Sequence, residues 1–340
     1  MARKGGWRRA GPKGRFRYLD ARGQRITDPA RLERVQGLVI PPAWKDVWIS
    51  PRSTAKLQVV GVDAAGRRQY LYHPDFRAAQ EQAKYEKLIR FAERLPDLRF
   101  AMGEHMTLEP LEPEWTCAVA VRLINLAWFR VGSDRYAKSS KTFGVTTLTG
   151  QHVRVTGNRV AFSFRGKHRV EVRTALVDTE LATAVEELLA LPGRRSARLF
   201  RYRRADETFN LTARTLNDYI QTHLGPEFTA KDFRTWGGTL SAAIAFAERG
   251  LPGSQAEAKR NVAAVMRSVA ERLGNTPAVA RGSYVSPAVV EQYLDGRTIE
   301  DFRPRHLRVV RARDMGLDPE EQALLSLLRS WRIRRARAAA

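Results

Sequence analysis

Arg130, Lys167, Arg234, Asn275 and Tyr284 are the residues of this 340-residue chain whose types and settings could do chemistry together. Arg130 follows a long apolar stretch, in Phe129-Arg-Val-Gly-Ser-Asp-Arg-Tyr136. Lys167 stands at the expected tip of a hairpin, in Phe164-Arg-Gly-Lys167. Arg234 lies in Lys231-Asp-Phe-Arg-Thr-Trp-Gly237. Asn275 and Tyr284 share Leu273-Gly-Asn-Thr-Pro-Ala-Val-Ala-Arg-Gly-Ser-Tyr284, where Pro277 and Gly282 suit a nucleophile on a mobile loop. The chemistry such a set suits is phosphodiester transfer without a metal. That reaction needs a nucleophile for phosphorus, cations for the charge added to the non-bridging oxygens, and a general acid for the departing 5′ oxygen. Arg grips phosphate through its planar fork. Tyr can attack if nearby cations ease loss of a proton whose reference pKa is about 10.

Taken singly, each residue has a plainer reading. Arg130 and Arg234 could pair with carboxylates at a surface, Arg234 with Asp232. Lys167 could be a solvated turn lysine. Asn275 could be a turn or cap residue before Thr276-Pro277. Tyr284 could be a core or rim aromatic.

The elements that must position these residues fall into two groups. The first 25 or so residues are rich in Arg, Lys and Gly and are expected to form a flexible basic arm that begins to order near Phe16-Arg-Tyr-Leu19. Short strands and turns follow to about residue 73. Val35–Ile40 runs into Pro41-Pro42, Val47–Ile49 stops at Pro51, and Leu57–Val62 and Arg68–Tyr72 flank a hairpin turn at Asp63-Ala-Ala-Gly66. Asp75 to Leu95 has helical spacing, and Pro96 is expected to end it, which sets domains of 1–95 and 96–340. Glu114 to Arg130 reads as a nearly all-apolar helix. The period then changes to strand-like alternation, giving a three-stranded antiparallel sheet through Gln151–Val155, Arg159–Phe164 and His168–Arg173. Helices are expected at 176–189, 211–224, 236–248, 254–273 and 287–293, with a last one after Pro319. The fold class is therefore α+β: a small strand-rich antiparallel N-terminal domain, then a larger, mainly helical catalytic domain carrying a three-stranded sheet.

Composition narrows the partner. Lys plus Arg number 59 against 36 Asp plus Glu, a formal net charge of +23, which favours a polyanion. A hydrophobic share of 43% excludes wholesale disorder. The single cysteine, Cys117, cannot form an internal disulfide or a multi-cysteine zinc site, and its apolar setting reads as a small core side chain. The six histidines lack metal-ligand spacing, and the acids do not cluster as a two-metal phosphodiesterase requires. No phosphate-binding Gly-rich loop is present; around Gly166-Lys167, Ala161 and His168 stand where Gly and Ser or Thr are needed. No apolar run is long enough to span a membrane, and the N-terminus has no signal-peptide core. The expectation is an enzyme working without metal, ATP or other cofactor, in the cytoplasm at the nucleoid.

At these motifs the chain resembles the type IB DNA topoisomerases, in particular the small bacterial and poxvirus-like branch. An Arg-x-Gly-x-x-x-Tyr signature is met by Arg130, Gly132 and Tyr136, followed by Phe143-Gly-Val-Thr-Thr-Leu148. The hairpin element is met at Phe164 to Lys167, the second arginine motif at Lys231 to Gly237, and the tyrosine segment at Gly274 to Tyr284. The amino-terminal part matches through Ile40-Pro-Pro-Ala-Trp-Lys-Asp-Val-Trp-Ile49 and Gly66-Arg-Arg-Gln-Tyr-Leu-Tyr72. Several ordered motifs carry the resemblance where any one alone would be weak.

The resemblance implies that Tyr284 joins the DNA 3′ phosphate and releases a 5′ hydroxyl. Arg130 and Arg234 would hold the phosphate oxygens, Lys167 would protonate the leaving oxygen, and Asn275 would donate to a non-bridging oxygen. Asn275 stands where the poxvirus pattern has His, so only a non-titrating role carries over. Gln69, Tyr70, Tyr72 and Tyr136 are the implied DNA contacts. Double-stranded DNA is the implied partner, gripped by two domains closing as a clamp, and one chain suffices as a monomer. Two other readings compete. A tyrosine site-specific recombinase shares the Arg, Lys, Arg and Tyr chemistry, but Lys231 stands where its motif usually has His. A non-enzymatic chromosome-binding protein would explain the charge without a covalent adduct.

Overall fold

The computed structural model describes residues 5–205, 207–303 and 316–339. The chain divides into two compact units, Met1–Glu86 and Lys87–Ala340.

The first unit is built on β1 (Trp7–Ala10), β2 (Arg17–Leu19), α1 (Pro29–Gly37), β3 (Lys45–Ile49), β4 (Leu57–Val62) and β5 (Arg68–Tyr72). The strands form one antiparallel sheet in the order β2-β1-β3-β4-β5. The expected basic arm therefore contributes two strands to the sheet. Arg8 pairs with Trp48 and Leu19, and alternation sends Trp7 inward to join Ile26, Val35, Val47, Ile49 and Val59 in the core. Basic composition hid a strand whose burial depends on its partner β3. The run Val35–Ile40 is also not a strand: it lies across the end of α1. Asp28 caps that helix by accepting from Ala30 N at 3.0 Å, and Pro29 sits in its first turn. Arg34 fastens α1 to the sheet through Ser50 O at 2.8 Å and Gln58 Oε1 at 2.7 Å.

Helix α2 (Pro74–His105) starts in the first unit and continues in the second. It runs through Pro96, where a break was expected, and the two units meet at Glu86/Lys87 rather than at 95/96. Proline removes one helical hydrogen bond, but Leu95 and Leu98 on either side are fully buried and hold the helix in place.

The second unit continues with α3 (Pro113–Ala127), α4 (Asp134–Ser140), β6 (Val153–Thr156), β7 (Arg159–Arg165), β8 (Glu171–Val177) and α5 (Thr179–Ala190). The three-stranded sheet has β7 at its centre. Val160, Phe162 and Phe164 are buried on one face, and Phe129 meets Phe162 and Phe164 edge-on at 5.5 and 5.2 Å. A hairpin of β9 (Arg201–Arg204) and β10 (Glu207–Asn210) leads to α6 (Ala213–Leu224), α7 (Ala230–Arg249), α8 (Gln255–Leu273), the single turn α9 (Pro277–Val279), α10 (Pro287–Leu294) and α11 (Pro319–Ala339). α3 is buried along most of its length, and it encloses Cys117, whose thiol burial pushes up to about 12. No helix among the described residues is long and apolar enough to cross a membrane.

Candidate active site

Three chain segments bring Arg130, Arg234, Asn275 and Tyr284 together. The first is the end of α3. Trp128 takes a left-handed conformation (φ 52°) that stops the helix and turns its carbonyl outward. Arg130 follows two residues later, and Gly144 lies so close to its carbonyl that a Cβ there would be 2.4 Å away. Glycine is required at 144 by that approach.

The second segment is α7. Asp232 closes its first turn by accepting from Thr229 N at 2.8 Å and pairs with Lys87 at 2.7 Å. The Asp232 carboxylate is thus committed to Lys87, and Arg234 is left without an acidic partner among the described residues. Arg234 is only 5% exposed. It donates through Nη1 to Trp128 O and through Nη2 to Leu273 O at 2.7 Å, and its Nε is buried without a partner. The Trp128 ring lies flat on Gly237, where a Cβ would sit 2.2 Å from ring carbons. The Arg272 guanidinium stacks on the same ring at 4.3 Å.

The third segment runs from the end of α8 to α10. Gly274, in the left-handed region (φ 59°), terminates α8, and Asn275 N donates back to Ala270 O at 2.8 Å. The cap of the next turn is Thr276 rather than Asn275. Arg130 Nη2 donates to Asn275 Oδ1 at 2.5 Å and to Gly274 O at 3.1 Å. With its oxygen held, Asn275 presents a buried amide Nδ2 that has no partner. From Pro277 the chain is helical rather than a loop, passing from α9 into one wide turn at Ala280–Tyr284. Thr276 accepts from Val279 N and Pro277 starts the turn, so Pro277, which suggested a mobile loop together with Gly282, begins a helical turn instead. Thr239 Oγ1 donates to Tyr284 O at 3.0 Å and accepts from Ser286 N at 3.1 Å, which fixes the tyrosine backbone against α7. Gly238 makes that approach feasible, since a Cβ there would meet Tyr284 Cβ at 3.1 Å.

The electrostatics follow from this packing. The Arg234 guanidinium lies 5.1 Å from the Tyr284 ring centroid. Burial raises the Tyr284 phenol, but the positive charges of Arg234, Arg130 and Lys231 outweigh it and the net direction is down. Burial and the charge of Arg234 pull the Arg130 guanidinium down to about 10. Both guanidiniums are held by carbonyls and an amide rather than carboxylates, so their charge is not neutralised in place. Arg130, Arg234 and Gly274 line a cavity of about 490 Å³. Gly166 lines it too. Lys167 follows Gly166, exposed on a β7–β8 turn in which His168 and Arg169 have positive φ. It is not brought into contact with the other four. No group of three or more His, Cys, Asp or Glu among the described residues is placed to hold a metal ion.

The remaining candidates lie elsewhere. Tyr136 is 52% exposed on α4, which Arg198 ties down through Asp134. On β5, Tyr70 and Tyr72 stand 45% and 42% exposed with their rings 6.3 Å apart. Gln69 points to the other face, where it donates to Asp63 Oδ2 at 2.8 Å. The open face instead carries a cross-strand row of Arg8, Trp48, Val60 and Tyr70. Sequence reasoning singled out neither Arg8 nor Trp48: Trp48 enters the row through the β3–β4 pairing, and Arg8 only because β1 pairs with β3.

Residues 73–302 match the family described as eukaryotic DNA topoisomerase I, catalytic core, and residues 15–63 match bacterial DNA topoisomerase IB, N-terminal domain. The chain belongs to the type IB DNA topoisomerase family. It is 30% identical over 293 residues to DNA topoisomerase 1B of Acanthamoeba polyphaga mimivirus, covering 84% of this chain and 86% of the relative. It is 22% identical over 280 residues to DNA topoisomerase 1B of vaccinia virus (strain Copenhagen), covering 79% and 83%. DNA topoisomerase 1 of rabbit fibroma virus is 22% identical over 262 residues, covering 74% and 77%. Family membership decides for the topoisomerase over the recombinase and the non-enzymatic readings.

Proposed function

We propose that this topoisomerase relaxes supercoiled double-stranded DNA by cutting and resealing one strand through Tyr284. The phenolate oxygen attacks phosphorus and forms a bond to the 3′ phosphate, while the bond from phosphorus to the 5′ oxygen breaks. Lys167 supplies the proton that the leaving 5′ oxygen takes up. Resealing runs the same steps backward: the 5′ hydroxyl attacks, Lys167 recovers a proton and Tyr284 leaves. The phosphotyrosyl bond keeps the energy of the broken phosphodiester, so no nucleotide is consumed.

The observation that carries this reading is a phenol set against a buried guanidinium that has no carboxylate partner. Arg234 lowers the phenol toward ionisation and would hold a non-bridging oxygen. Arg130 would hold the second charge, and Asn275 Nδ2, a donor with no partner, would add a hydrogen bond. Such donors need no rearrangement as charge develops. One chain carries the complete set, which makes a monomer sufficient. Tyr70, Tyr72 and Tyr136 remain the proposed DNA contacts, of which Tyr70 and Tyr72 share one open face; Gln69, turned to the other face and bonded to Asp63, is not among them. The test is relaxation of supercoiled plasmid in EDTA without nucleotide, followed by denaturant trapping of the adduct. Relaxation that required Mg²⁺ or ATP, or an adduct mapped away from Tyr284, would overturn the reading.

A further inference from the structure

Behind the site, one buried carboxylate touches the helix that carries Arg234. Glu321, 3% exposed on α11, accepts four hydrogen bonds. Its Oε1 takes Trp236 Nε1 at 2.9 Å and Arg99 Nη2 at 2.8 Å. Its Oε2 takes Arg99 Nη1 at 2.7 Å and Asp318 N at 3.1 Å. A carboxylate has about four acceptor positions, and all are filled.

The geometry points to Glu321 as a positioning residue: with Arg99, it braces the two helices whose ends present Arg130 and Arg234. This inference rests on the proposed roles of those arginines. Trp236 lies two positions beyond Arg234, roughly 200° around α7, so its indole faces away from the cavity that Arg234 lines. Glu321 therefore holds the back of α7 while Trp128 O and Leu273 O hold Arg234 at the front. Arg99 Nη2 also reaches Asn125 Oδ1 at 3.2 Å on α3, whose end supplies Trp128 and leads to Arg130. One ion pair thus links α2, α3, α7 and α11. Buried pairs are a weak source of stability, but their directional bonds fix geometry. The same carboxylate closes the first turn of α11, where Asp318 Oδ1 accepts from Glu321 N at 2.8 Å. The C-terminal helix is in this way part of the apparatus that aims the arginines.

Trp236→Phe removes the indole donor and keeps an aromatic ring, and Glu321→Gln removes the charge at similar volume. Each should lower single-turnover adduct formation at saturating DNA by about tenfold or more, as small misplacements do. DNA affinity should stay within about twofold, since no DNA-facing group changes. The pH at which adduct formation levels off should rise, because a misaimed Arg234 no longer lowers the Tyr284 phenol; a loss of folded protein alone would not move it. Full rates in both variants, or rates that fall only with the folded fraction at an unmoved pH profile, would overturn the brace. Arg234→Ala is the control: if it forms adduct at the full rate, the proposed site itself falls, whereas an inactive Arg234→Ala beside fully active Trp236→Phe and Glu321→Gln removes the brace alone.

Discussion

Arg234 is buried, with both Nη groups bound to main-chain carbonyls, while Arg8 and Arg68 stand exposed on the open sheet face with Trp48 and Tyr70. Both regions suit DNA, but by different physics. The sheet face offers mobile, hydrated cations and flat aromatic surfaces, which gather and orient a polyanion at little cost in desolvation. The buried arginine has already lost its water, so its charge acts strongly on whatever enters, beginning with the Tyr284 phenol. A protein with 59 basic residues uses very few of them in the second way. The difference is set by a handful of close packings: the Trp128 ring on Gly237, and Arg130 Nη2 on the Gly274 carbonyl.

Tyr284→Phe should abolish adduct and relaxation while leaving salt-dependent DNA binding in place, read by denaturing gels beside filter binding. Arg234→Ala should slow adduct formation at saturating DNA by about 10²–10³-fold, the usual cost of losing one preorganised donor. The pH profile sharpens the point. The phenolate is the reactive form and its cations favour it, so cleavage should rise with pH and level off below the ordinary tyrosine value. Without Arg234 the phenol loses its largest lowering influence, and the plateau should move to higher pH. Gly237→Ala drives a Cβ into the Trp128 ring; it should cost about 1–3 kcal/mol in denaturant unfolding and lower the cleavage rate, because Trp128 O holds Arg234. The smallest effects belong to the sheet face. Arg8→Ala should reduce the slope of log affinity against log salt by about 1 and leave the rate at saturating DNA unchanged.

The candidate site residues stand out in the sequence because each sits in a short motif whose side-chain types suit phosphate chemistry; that Arg130, Arg234, Asn275 and Tyr284 meet while Lys167 stays apart does not show there. The three-stranded sheet was legible because Val160, Phe162 and Phe164 alternate with small or polar residues, and all three are buried. What escaped reading depends on partners distant in sequence. β1 looks like a basic arm until β3 pairs with it. The helix through Pro96 holds because Leu95 and Leu98 are buried, which periodicity alone does not weigh against a proline. The tyrosine segment reads as a loop because Pro277 and Gly282 are usual helix breakers, yet Pro277 occupies a first turn where its missing N–H costs nothing. Gln69 could have been separated from Tyr70 and Tyr72 by strand alternation alone, since odd and even positions of β5 face opposite ways. Glu321 gave no signal, as an acid in the first turn of a helix is ordinary.

Cys117 has a practical consequence. It is the chain's one cysteine, it is enclosed in α3, and its thiol is pushed up to about 12. At neutral pH it stays a protonated, inaccessible sulfur, inert to maleimides and slow to oxidise. A thiol engineered onto the surface, for example by Tyr136→Cys on α4, would be the single reactive handle on the native protein. Fluorophores or DNA crosslinkers could then be attached at a chosen site with the wild-type cysteine left untouched.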